Sequence, residues 1–179
     1  MKTQVLLAAA VLLLGLCGCG SNTRAHEHRG TAAAARMPVI TPMDGAMAVF
    51  RAKVGPILCE YAHNLESSEQ ATARAAENAG GAINASAPEN VQSEYASMLR
   101  DLSNMVRTTI GKFRAVSPPA EIAGEYSEFI NSLRRVATAA SQAASYAAAR
   151  NYAEIAAMEN IATPNAGEGV FHKAGISGC

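Results

Sequence analysis

The chain has 179 residues, enough for one compact domain plus a leader and a tether. Its hydrophobic content of 49% is dominated by alanine, aromatics are 5% and tryptophan is absent, so any core must be narrow. The 15 basic and 15 acidic residues cancel, and neither sign gathers in one stretch. That excludes the basic stripe of a nucleic-acid binder.

Met1-Lys2 supplies a positive start, and Val5 to Leu16 forms an apolar stretch of signal-peptide length. Spanning a bilayer takes about 20 apolar residues, so this stretch reads as a leader and not as a permanent membrane helix. Leu16-Cys17-Gly18-Cys19 follows. It resembles the lipobox of bacterial lipoproteins: a branched apolar residue, a small residue, then the acceptor cysteine. The resemblance implies diacylglyceryl transfer to Cys19 and cleavage after Gly18. Cys17 would leave with the leader, because bulky Leu16 stands where a small residue is needed before an acceptor. The expected division is a signal peptide at 1–18, a flexible tether at 19–40 and a helical domain at 41–179. The chain after Cys19 is expected outside the cytoplasm, held at the cell membrane by its acyl chains.

The tether is rich in small polar residues and shows no apolar periodicity. Its His26 and His28 form a His-x-His pair, but no further His or Cys stands nearby to complete a metal site.

The folded part opens with "TPMD": Thr41 as cap, Pro42 at the first helical position and Asp44 completing an acidic capping box. Met47, Phe50, Val54, Ile57/Leu58, Tyr61 and Leu65 then recur at spacings of three and four, on one face of a first helix. Pro56 interrupts that run and predicts a kink, or a break near Val54-Gly55, before Gly80-Gly81 ends the element.

"SAPE" predicts the start of a second helix, with Ser86 as cap and Glu89 reaching back. Its stripe is Val91, Tyr95, Met98/Leu99, Leu102, Met105/Val106, Ile110 and Phe113. Pro118-Pro119 forces a turn, and a third helix is expected from about Pro119. Ile122, Tyr126, Phe129/Ile130, Leu133 and Val136 form its inner face, and the alanine-rich run after it lets a neighbour approach closely. Asn151 and Glu154 stand in capping-box positions for a fourth helix through Ile161. Thr163-Pro164 breaks or restarts it before the tail. The economical architecture is all-α: an antiparallel four-helix bundle with a kinked first helix and an irregular C-terminal tail.

Two cysteines remain, Cys59 in the first helix and Cys179 at the end of the sequence. Outside the cytoplasm an even pair usually bridges. Counting about 20 residues up from Cys59, and about 20 down a fourth helix, brings the two ends to similar levels at 1.5 Å per residue. A Cys59–Cys179 disulfide is therefore expected.

A cysteine within "GPILCEY", the prolyl turn into "SPPAEIAGEYSEFINSLRRVA" and the final "AGISGC" together resemble the small, largely uncharacterised helical lipoproteins of actinobacteria. The resemblance implies a disulfide-closed helical bundle on the outer side of the cytoplasmic membrane and carries no established activity. Pro56, Pro164, Gly167 and Gly169 depart from the regular helices that it implies.

No G-x-S-x-G, H-E-x-x-H, Gly-rich phosphate loop or paired buried carboxylates appear, and Glu60 and Glu66 read as solvated helix charges. The expected role is a non-enzymatic interaction module of the envelope, without cofactor or nucleic acid. Its partners would be the membrane, through the anchor, and another envelope protein. The alternative is a metal- or haem-binding bundle, using Met43 or Met47 with His172, or His63 with His172. Matching Cys179 to the level of Cys59 would set His172 more than ~18 Å above Met47 along the axis, and bring it nearer His63.

Overall fold

The computed structural model describes residues 42–158 and 166–176. These residues are all-helical, with no strand among them. The helices are α1 (Pro42–Asn78), α2 (Glu89–Arg114), α3 (Ala123–Ala148), α4 (Tyr152–Ala157) and α5 (Ala166–Lys173), with a 3-10 turn at Ala120–Ile122.

α1 runs unbroken through Pro56. Proline denies the Ala52 carbonyl its helical donor, yet Ala52 and Pro56 both lie on the exposed face, where water can take that place. The opposite face stays in phase, burying Phe50, Val54, Leu58, Tyr61 and Leu65. At 37 residues α1 is about 55 Å long. It stops where Gly80 and Gly81 take φ of 80° and 108°, a conformation that side chains disfavour. The Gly81 N–H then donates to the Ala76 carbonyl at 2.8 Å.

α2 returns antiparallel. Ala75 and Ala76 share a cluster with Val91 and Tyr95 at one end, and Glu60 faces Lys112 towards the other. The expected Ser86–Glu89 capping box does not form. Pro88, held at φ −53° and ψ 144°, is the residue before the helix and offers no side-chain cap. The turn is closed instead by Asn84, whose Oδ1 accepts the Ser86 N–H at 2.8 Å, and by Gln92, whose Nε2 donates to the Ala87 carbonyl at 2.6 Å.

α3 runs antiparallel to α2, and this is the most extensive helix pairing among the described residues. The expected start at Pro119 is occupied by the 3-10 turn, so the α-helix begins at Ala123. Ala137, Ala140, Ala143, Ala144 and Ala147 are buried, and Ser103 Oγ crosses from α2 to the Ala137 carbonyl at 2.8 Å. The alanine face thus packs within the chain.

The fourth element departs from expectation. Asn151 precedes α4 but makes no side-chain cap, because the chain arrives through Arg150 at φ 57°. α4 ends at Ala157, short of Ile161, which lies with Thr163 and Pro164 outside the described residues. α5 then packs on α3.

The main core gathers Phe50, Phe113, Tyr126, Phe129 and Phe171. Edge-on ring pairs join Phe50 to Tyr126 at 5.2 Å, Phe113 to Phe129 at 5.2 Å and Phe129 to Phe171 at 4.8 Å. The smaller second core, at the far end, holds Ala75, Ala76, Ile83, Val91, Tyr95, Ala96, Ala147 and Tyr152.

Phe113→Ala, at a site with no exposure, is expected to cost about 3–5 kcal/mol. Ala144→Leu is expected to cost about 1–3 kcal/mol by overpacking the α2–α3 seam. Urea midpoints at fixed pH check both.

Candidate functional site

At the aromatic end α5 meets α1 and α3. α5 has only eight residues, too few to hold a helix alone. Its inner face carries Gly167, Val170, Phe171 and, just past its end, Ala174, all buried. Gly167 is required by close approach: a β-carbon there would stand 2.9 Å from Phe129 Cδ2. At the other end Gly175 adopts φ 66°, letting the Ile176 N–H reach the Phe171 carbonyl at 2.9 Å. The Ile176 side chain packs back on the main core.

Two basic residues fasten this end. Arg51 of α1 donates through Nε to the Ala174 carbonyl at 2.9 Å, and its guanidinium lies beside Gly175. Lys173 pairs with Glu125 of α3. A second cross-helix pair, Lys112 with Glu60, spans α2 and α1 at 2.5 Å. Both ion pairs are substantially exposed and contribute at most about 1 kcal/mol each. The carbonyl contact of Arg51 is the more informative link, because it fixes the level of α5 along α1.

That level corrects two expectations. Ala174 sits beside Arg51, which places His172 within about two turns of Met47, not more than ~18 Å above it. His63 stands twelve residues beyond Arg51, about 18 Å further along α1, so the two histidines are not brought together. His63 and His172 are both exposed, while Met47 packs against the aromatic core. Among the described residues no group of three or more His, Cys, Asp or Glu is placed to hold a metal ion.

Cys59 lies two turns beyond Arg51 on the same helix. It is half-buried, beside the apolar stripe, and is disulfide-bonded. The chain's other cysteines, Cys17, Cys19 and Cys179, lie outside the described residues, as do His26 and His28.

Tyr61, Tyr95 and Tyr126 are core residues. Tyr126 donates to the Phe113 carbonyl at 2.8 Å, tying α3 to the end of α2. Burial pushes both Tyr61 and Tyr126 up to about 12. Glu60 and Glu66 are exposed, the former paired with Lys112 and the latter accepting from Gln70 at 3.4 Å.

Below the aromatic core an open cleft of about 390 Å³ separates the first turns of α1 from the prolyl turn. Gly45, Ala46, Val49 and Lys53 face residues 115–119 across it. Val49 is 56% exposed, unusual for a large apolar side chain in this fold. No helix among the described residues is long and apolar enough to cross a membrane.

Sequence reasoning missed Arg51 and the Gly175 turn. The turn had a signal, since His172-Lys173 followed by Gly175 is the pattern of a basic last turn and glycine stop. Arg51 had none, standing among exposed residues until α5 is placed beside it.

Because folding raises these tyrosine pKa values above 10, the stability they contribute is fully present below pH 10 and is lost as the pH rises towards 12. Urea midpoints should therefore fall more steeply between pH 10 and 12 in the parent than in Tyr61→Phe, which has no proton to lose. Equal slopes would contradict the shift. Searches for related proteins found no matching family model, no matching curated protein and no matching solved structure.

Proposed function

We propose that this chain is a lipid-tethered module of the cell envelope, held at the membrane through Cys19 and displaying a helical domain on the extracytoplasmic side. The observation that carries the reading is the leader: Lys2, the apolar run Val5–Leu16 and the Leu16-Cys17-Gly18-Cys19 acceptor stand in the order that lipidation needs. Its placement supports the reading too. Twenty-two residues separate Cys19 from Pro42, where α1 begins.

In this reading the domain is a four-helix bundle whose fourth position is shared by α4 at one end and α5 at the other, closed by a Cys59–Cys179 disulfide. Reach supports the pairing. From Arg51 to Cys59 is about 12 Å of helix, the three residues beyond Ile176 reach about 10 Å when extended, and a disulfide spans about 5.5 Å between its α-carbons. The role is binding, not catalysis. The domain's buried tyrosines serve packing and its described carboxylates lie on the surface or in cross-helix ion pairs. The partner class is another envelope component, met by the folded surface while the lipid holds the chain in place. Membership among the small helical lipoproteins of actinobacteria is part of the same proposal.

Two or three buried acyl chains, at about 0.8 kcal/mol per methylene, hold a protein firmly on a bilayer. Cys19→Ala is therefore expected to move the protein from the membrane pellet to the soluble fraction. Intact mass should simultaneously lose the diacylglyceryl group. A Cys19→Ala chain that stayed wholly membrane-bound would overturn the anchor.

A further inference from the structure

No stretch of the sequence is basic, but the α2–α3 pairing gathers charge that the sequence scatters. Three contacts between the two helices and their ends set the levels: Phe113 beside Tyr126, Ser103 beside Ala137 and Glu89 beside Arg150. Arg100 stands three residues before Ser103 and Arg107 four after it, so both share the side of α2 from which Ser103 reaches α3. Arg114 follows Arg107 at the same seven-residue spacing that separates Arg107 from Arg100. On α3, Arg134 stands three residues before Ala137, level with Arg107. All four are exposed, so they line the outer margin of the α2–α3 seam as a row about 21 Å long.

The row carries its charge unneutralised. None of these arginines takes part in an ion pair among the described residues. Arg134 donates to the amide oxygen of Asn131, at 2.5 Å. The carboxylates of the same helices lie on other sides. Asp101 stands eleven residues, or three turns, before Lys112, on the side of α2 that meets Glu60 of α1. Glu128 stands three residues from Glu125, whose partner is Lys173 of α5. Ser127, Asn131 and Thr138 supply small polar groups around Arg134.

We infer that the outer margin of the α2–α3 seam binds a linear polyanion that carries a phosphate on each short repeat, laid along Arg100, Arg107, Arg114 and Arg134. A guanidinium stays charged at every working pH and matches phosphate through paired N–H donors. A polymer with closely spaced charges brings a phosphate opposite each arginine without exact register. A lone phosphate ion would meet one exposed arginine at a time and lose that multivalent gain. An anionic bilayer is the poorer match, because docking there also uses apolar side chains beside the basic ones. The large apolar side chain that is exposed, Val49, lies on α1. A nucleic-acid strand would call for aromatic platforms, and no aromatic ring of α2 or α3 is exposed among the described residues. The inference gives the binding role proposed above a ligand class, and it rests on that role and not on the anchor.

Titration of a fluorescently labelled linear polyphosphate, long enough to span the seam, into the full mature chain in non-ionic detergent tests this. The logarithm of the binding constant is expected to fall with the logarithm of salt concentration at a slope of about −3, as four neutralised phosphates require. Arg107→Gln with Arg134→Gln should bring the slope to about −1.5 and weaken binding at low salt by at least about tenfold. Arg107→Lys with Arg134→Lys keeps the charge and should keep the slope. Lys53→Gln with Arg135→Gln, away from the row, should change neither quantity. Orthophosphate at equal phosphate concentration should not displace the polymer. No binding at low salt, or a slope that the glutamine pair leaves unchanged, would overturn the seam. Tighter binding of an oligothymidylate of equal charge would overturn the ligand class, as would displacement of the polymer by phosphatidylglycerol vesicles but not by phosphatidylcholine vesicles. Failure here is distinct from failure of the anchor, because fractionation of Cys19→Ala reads the leader and this titration reads the folded surface.

Discussion

All four phenylalanines in the chain, each from a different helix, meet around one tyrosine. Phe50 comes from α1, Phe113 from α2, Phe129 from α3 and Phe171 from α5, with Tyr126 among them. A composition this poor in aromatics cannot fill a core along its whole length, so it concentrates bulk at one level and lets that level set the register. Each ring meets its neighbours mostly edge-on, which favours one relative height for each pair of helices. The Tyr126 hydroxyl reinforces the same level by donating to the last-turn carbonyl of α2, at Phe113. Sliding any helix by a turn would break several of these contacts together.

Away from that level the chain packs by a different rule. Between α2 and α3, alanines let the backbones approach until a serine hydroxyl on one helix reaches a carbonyl on the other. Small side chains contribute little area each, so the far end depends on closeness and on the glycine stop of α1. Buried polar atoms without a hydrogen-bond partner occur at both ends: Gln92 Oε1 and the Tyr152 hydroxyl at this one, Glu125 Oε2 at the start of α3. Burial raises the Tyr152 pKa, with Arg150 opposing the shift.

The helical stripes were legible because period 3.6 is a property of consecutive residues. Phe50, Val54, Leu58, Tyr61 and Leu65 fall on the buried face as their spacing predicts, and Pro56 does not disturb them because it falls on the opposite face. Helix starts were less legible. Ser86 and Asn151 have the right chemistry, but Pro88 and the left-handed Arg150 decide the backbone path into α2 and α4. The level of α5 was not legible at all. It was reckoned from a helical rise continued from Asn151, and α4 stops at Ala157. Arg51 could not be recognised until that level was known, since an arginine on an outward face looks like any other surface charge.

Gly167 gives the groove under α5 a selectivity that its greasiness alone would not. The Phe129 ring lies where a β-carbon would otherwise project, so the trough does not accept every amphipathic helix that might be offered to it. A visiting segment would need a bare backbone at one point, with an aromatic residue four positions later to stand in for Phe171. That requirement works like a key cut against sequence: alanine at the first position already collides, and larger residues collide more. Among amphipathic helices in general, few would meet both conditions in the same register. The chain's own segment does so, and it has the further advantage of never having to find the groove by diffusion.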